Sequence, residues 1–118
     1  MEDNLIMQQY EFFPEMVKRM ERLSLTIPGL TAWLLESKSN RQIVIMQFDQ
    51  DFFSKESHKN EYSQCGVVLD GEIVLHIDVK QTMKKGDTFF IPKGMMHRVE
   101  IKAGYKDITF FDGLRHKK

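Results

Sequence analysis

From Leu30 to Phe111 the chain is a succession of short apolar, β-prone runs separated by turn residues, and that rhythm leaves few folds open. Leu30 to Glu36 and Gln42 to Phe48 are joined by Ser37-Lys38-Ser39-Asn40, which has the composition of a hairpin turn. Asp51 to Glu56 is a looser connection. Gln64 to Leu69 and Glu72 to Ile77 are separated by Asp70-Gly71, a dipeptide that favours a two-residue type I′ hairpin because both central positions need positive φ. Asp78 to Lys80 and Lys85-Gly86-Asp87 reverse the chain again, and further strands are expected at Thr88 to Ile91, Met95 to Ile101 and Asp107 to Phe111. Many short strands with regular turn signals predict an all-β closed sandwich or barrel.

Ahead of the strands, one helix is expected from Glu11 to Leu23. Pro14 and Glu15 suit its first turn, and Met16, Met20 and Leu23 form an apolar stripe opposite Lys18, Arg19, Glu21 and Arg22. Pro28-Gly29 then breaks the chain. The 118 residues fit one domain, with helix and leading strands in 1–37, a barrel core in 38–113 and a basic tail in 114–118. Lysines plus arginines number 17 and so do aspartates plus glutamates, so no overall charge draws the chain to nucleic acid or anionic lipid. Arg115-His116-Lys117-Lys118 is the one basic cluster, and a terminal run of this kind is expected to be solvated. A single cysteine, Cys65, excludes an intrachain disulfide and is expected to be a small buried hydrophobe. With no signal peptide or apolar stretch of membrane-spanning length in view, a cytoplasmic protein is expected.

Chemistry concentrates in two spaced motifs, His58-x-Asn60-x3-Gln64-x6-Gly71 and Gly86-x5-Pro92-x-Gly94-x2-His97. If the first segment is extended, His58, Asn60, Tyr62 and Gln64 project from one face, and His97 arrives from a second strand. Two imidazoles and two side-chain amides within reach of one point suit a divalent transition metal such as zinc, nickel, iron or manganese. The set contains no carboxylate. Glu56 precedes the motif on the inward parity and is the acid to look for near the metal, whereas Glu61 alternates outward.

These motifs resemble the two motifs of the cupin superfamily, G-x5-H-x-H-x3,4-E-x6-G and G-x5-P-x-G-x2-H-x3-N. The second is met from Gly86 to His97, with Ile101 in place of its final asparagine. In the first, His58 and Gly71 are in place, Asn60 stands at the second histidine position, Gln64 at the glutamate position and Phe52 at the leading glycine. The Gln64 to Glu72 segment and the Ala103 to Thr109 ending look like those of small bacterial single-domain cupins. The resemblance implies a double-stranded β-helix, or jelly-roll, barrel with a short N-terminal helix. It also implies a divalent metal near the barrel mouth held by His58, Asn60, Gln64 and His97, and pairing into a homodimer.

The residues themselves leave several roles open. Gln64 is either a ligand or an amide that orients an imidazole from behind. Asn60 is either a ligand or a polar residue touching pocket water. Tyr62 and Met95 line the pocket on one reading and are ordinary packing residues on the other. Val67 and Leu69 alternate to the opposite face, which a helix or a partner chain would cover. His76 falls on a surface face, opposite Ile73, Leu75 and Ile77. The function expected is action on, or binding of, a small polar or anionic molecule in the barrel, at a divalent metal or, in the alternative, with that metal site weakened or absent. That is either metal-dependent catalysis or, given the missing carboxylate, non-catalytic binding or storage. A catalytic residue is not assigned, and nucleic acid and membranes are not expected as partners.

Overall fold

The computed structural model describes residues 17, 19–38, 41–113 and 115. Among them are ten strands: β1 (Glu21–Arg22), β2 (Leu30–Lys38), β3 (Arg41–Phe48), β4 (Phe52–Phe53), β5 (Gln64–Asp70), β6 (Glu72–Ile77), β7 (Val79–Lys84), β8 (Thr88–Ile91), β9 (Arg98–Ile101) and β10 (Lys106–Phe111). They form two antiparallel sheets, one in the order β1-β2-β3-β10-β5-β8 and one in the order β4-β9-β6-β7. From β3 to β10 the chain changes sheet at every step except β6 to β7, which is the connectivity of a jelly roll.

Period-two alternation builds the space between the sheets. On β6, Ile73, Leu75 and Ile77 are buried while Val74 and His76 turn outward. They meet Phe48, Val68, Phe89 and Ile91 from the larger sheet, and each such side chain contributes about 1.5–3 kcal/mol by leaving water. Tyr105 and Phe111 are among the most deeply buried large side chains, and Phe48 stacks on Phe52 at 5.7 Å between ring centres. The outer face of the larger sheet carries a second apolar layer, in which Val17 and Met20 pack against Trp33, Ile45, Leu69 and Ile108. Val17 and Met20 therefore cover part of the outer face on which Leu69 lies.

The structure departs from sequence expectation at several places. Residues 11–16 and 18 of the expected helix lie outside the described residues. Its last part is not helical: Glu21–Arg22 pairs with Leu34 and Trp33 as an edge strand, and Leu23 donates to the Ala32 carbonyl at 2.9 Å. Backbone pairing with β2 overrides the helical spacing there. Asp70-Gly71 is not a hairpin, because β5 pairs with β10 and β8 while β6 pairs with β7 and β9. Only Gly71 of the two has positive φ, 76°, so the dipeptide is a corner between sheets. The tight reversal falls at Asp78 (φ 51°), between Ile77 and Val79, and opens the polar strand β7. β7 escapes a hydrophobicity reading because Met83 is its single buried side chain. The β2–β3 hairpin is present, with Lys38 paired to Arg41.

Candidate functional site

His58 and His97 face each other across an isolated antiparallel bridge, exchanging both backbone hydrogen bonds at 2.8 Å. Directly opposed residues project to the same side of a sheet, and the two rings lie 4.4 Å apart between centres. His97 is 3% exposed and its Nδ1 is 3.0 Å from the Met95 carbonyl oxygen. A carbonyl only accepts, so Nδ1 carries the proton and Nε2 keeps its lone pair. Partial burial, then the charges of a protonated His97 and of Arg115, lowers the His58 imidazole below its usual range, which favours its neutral form.

The turn before His97 explains how it is placed. Met95 donates to the Pro92 carbonyl at 3.2 Å with Gly94 at φ 78°, the arrangement of a type II turn. This turn is tied to the His58 segment by Gly94 donating to the Asn60 carbonyl at 3.0 Å and Lys93 to Ser63 Oγ at 3.1 Å. Gln64 opens β5 opposite Phe111 and Ile91. Its Oε1 accepts from Asn60 Nδ2 at 2.8 Å, and Asn60 Oδ1 in turn accepts from the Arg115 guanidinium. Arg115 also lies 5.4 Å above the Phe111 ring.

These side chains border a cavity of about 240 Å³ between the sheets, lined by His58, Gln64, His97 and Arg115. Asp107 lines the same cavity from β10. Its carboxyl is 3% exposed and accepts from Tyr105 Oη at 2.5 Å and from Thr109 Oγ1 at 2.9 Å. Burial pushes it up to about 6, beyond what the two neutral hydroxyls offset, and burial together with Asp107 raises the Tyr105 phenol, which stays a donor.

A cupin domain family model matches residues 44–112, more than half the chain. The chain belongs to the cupin family. Among solved structures, an RmlC-like cupin from Shewanella frigidimarina is 26% identical, with 92% of this chain and 96% of that one covered at a TM-score of 0.72. KdgF from Halomonas sp. is 21% identical over 83% of this cupin and 92% of its own length, at a TM-score of 0.71. An oxalate decarboxylase variant from Bacillus subtilis is 16% identical, with 82% of this cupin and 28% of that chain covered at a TM-score of 0.66. No curated protein matches the chain.

In this cupin the motif residues divide. His58, Gln64 and His97 reach the cavity, whereas Asn60, 4% exposed, lies behind Gln64 and links it to Arg115. Residues 59–63 form no strand, so the expected alternation does not position Asn60 and Tyr62. Tyr62 packs on Gly113, where an added Cβ would come within 2.0 Å of its ring, and is not among the cavity-lining residues. Nor is Met95, which packs against the hydrophobic core and contributes its carbonyl to His97. Glu56 is exposed and lies outside the cavity wall. Cys65, expected to be buried, is exposed on the outer face of β5, because the adjacent outward positions there carry no covering layer among the described residues.

Two residues of the site escaped the sequence reading. Arg115 belongs to the tail read as solvated, yet its side chain turns back over Phe111. Asp107 sits far from both motifs, and its inward parity with Thr109 and Phe111 on β10 is the signal that could have found it.

The chemistry of the donors is compatible with a divalent ion. His97 Nε2 and the neutral His58 ring are competent ligands, and Gln64 Oε1 retains a second lone pair beyond the one used by Asn60. Among the described residues no three His, Cys, Asp or Glu side chains are grouped to hold a metal. The set is therefore neutral, which weakens affinity relative to one containing a carboxylate.

Proposed function

We propose that this cupin binds a divalent transition metal through His58 and His97, with Gln64 as third donor, and acts as a metal-dependent enzyme on a small anionic molecule held in the barrel. The observation that carries the reading is the opposed imidazole pair at the cavity, with His97 fixed in the tautomer that leaves Nε2 available. A bound divalent ion would supply Lewis acidity toward a carbonyl or carboxylate oxygen or toward water. Arg115 would hold the anionic group, and the apolar walls would exclude water around it. A fold shared with an oxalate decarboxylase accommodates such chemistry without assigning it here. Among the described residues no helix is long and apolar enough to cross a membrane, and the single free cysteine agrees with a cytoplasmic, reducing setting.

Titration calorimetry with zinc, nickel, manganese and iron(II) tests the metal. About one equivalent should bind, weakly for lack of a charged ligand, and His97→Ala should abolish binding. Undetectable binding at about millimolar metal would overturn the reading. The neutral donor set favours a second reading, in which the same cavity binds or stores the molecule without turnover; a metal-loaded protein that binds small carboxylates and leaves them unchanged would select it. We also propose a homodimer, supported by exposed Phe90 and Phe110 on the outer face of the larger sheet.

A further inference from the structure

The imidazoles, the amide and the guanidinium of the cavity gather at one end, and Ser54 and Asp107 are the other polar residues on its wall. His58, Gln64, His97 and Arg115 meet where β10 ends, since Gln64 pairs with Phe111 and the Arg115 guanidinium lies above that ring. Most of the remaining wall is hydrocarbon, with Met46, Phe48, Ile73, Phe89, Ile91 and Val99 among its residues. Asp107 stands four residues back along β10, roughly 13 Å from Phe111 at about 3.3 Å per residue, next to Val68 and Met46. Its carboxyl is already engaged by Tyr105 and Thr109. Arg115 is the one lysine or arginine among the described residues lining the cavity.

We infer that the molecule this cavity takes is an amphipathic monocarboxylate, its carboxylate at Arg115 and its apolar body lying along the β10 wall toward Asp107. The inference rests on the reading of the cavity as a small-anion site and narrows its substrate class. A polyhydroxylated acid would bring several hydroxyls against a mostly hydrocarbon wall where Ser54 and the already engaged Asp107 are the remaining partners, losing about tenfold or more in affinity for each hydrogen bond given up. A dicarboxylate long enough to span the cavity would place its second charge near Asp107 with no second permanent cation lining the wall to meet it, and a short one such as oxalate would leave the hydrocarbon wall uncovered. The volume of about 240 Å³ has room for about eight groups of water size at roughly 30 Å³ each, enough for a short acyl or aryl chain.

The test uses the full chain, metal-free and zinc-loaded, titrated calorimetrically with butanoate, hexanoate, octanoate, 1-hexanol, gluconate and oxalate. Affinity should rise about fourfold per added methylene along the carboxylate series, as burial of hydrocarbon requires, with gluconate and oxalate, both metal chelators, weaker than hexanoate in the metal-free chain. Arg115→Gln should weaken hexanoate about tenfold while leaving 1-hexanol unchanged, and Arg115→Lys should restore part of the loss. Circular dichroism and thermal melting establish that each variant is folded, and Arg115→Lys carries the comparison if Arg115→Gln is not. In the metal-free chain, a flat chain-length series, or gluconate or oxalate binding as tightly as hexanoate, overturns the amphipathic assignment and leaves the small-anion reading standing. A hexanoate-to-hexanol ratio unchanged by either variant overturns the placement of the carboxylate. Failure of every anion to bind in both forms removes the small-anion reading itself.

Discussion

Burial of Asp107 on β10, facing the hydroxyls of Tyr105 and Thr109, moves its carboxyl from an ordinary aspartate value of 3.8 up to about 6. Desolvation opposes the charged form more strongly than two neutral donors favour it. Between about pH 4 and pH 6 the folded chain therefore binds more protons here than the unfolded chain does. The associated stability is complete below the unfolded value and is lost as pH rises through about 6, a difference of about 3 kcal/mol. Asp107→Asn keeps an oxygen for a hydroxyl to donate to and removes the titration. Urea unfolding at pH 4 and pH 7.5 should show the wild type losing about 2 kcal/mol relative to Asp107→Asn across that interval, since pH 4 already lies just above the unfolded value. Because His58, His97 and Arg115 are common to both proteins, their contributions largely cancel; equal losses would mean that Asp107 titrates at an ordinary carboxylate value.

At the scale of elements, the β5–β6 corner is held close against the backbone of a neighbouring loop. Gly71 has φ 76°, and a Cβ built there would come within 2.7 Å of Tyr105 Cα and 2.9 Å of its nitrogen. Both atoms are backbone and cannot swing aside. Gly86, in the β7–β8 turn, has φ 90° with nothing within 4 Å of the added atom. Alanine at Gly86 should cost about 1–2 kcal/mol through conformation alone. Alanine at Gly71 adds a steric conflict and should cost about 2–4 kcal/mol. Denaturant midpoints of the two variants decide the matter, since equal losses would show that the loop carrying Tyr105 moves away without penalty.

At the scale of the whole molecule, the outer face of the larger sheet is unevenly covered. Val17 and Met20 lie over Trp33 and Ile45, while Phe90 is 59% and Phe110 38% exposed at the β10-β5-β8 side. Cys65 is exposed beside them, paired with Phe90 on one side and Phe110 on the other. An uncovered aromatic patch of this kind fits the proposed pairing of two copies. Multi-angle light scattering should give twice the chain mass of 14.0 kDa, and Phe90→Lys should return the protein to a single chain with its fold intact. A wild type that runs as one chain at high concentration would remove the homodimer.

Strand positions and inward faces were legible because alternation is a local, period-two property, visible in Ile73, Leu75 and Ile77 before any partner is known. Motif spacing likewise placed His58 and His97 together, and the turn residues Pro92 and Gly94 carry that placement in their own backbone preferences. Partner choice is a different kind of information. Asp70-Gly71 has the composition of a hairpin yet turns a corner, because β5 finds its partners in β10 and β8 and β6 finds its own in β7 and β9, all but β7 distant in sequence. The same non-local packing withdrew Tyr62, Met95 and Asn60 from the cavity wall, brought Asp107 and Arg115 to it, and left Cys65 in the open. The amino-acid sequence by itself determined an all-β closed sandwich or barrel with two histidines within reach of one point, and the resemblance of its motifs implied the jelly roll. The tertiary structure alone decided the cavity's charges and its hydrocarbon lining, since these depend on which distant strands share an interior.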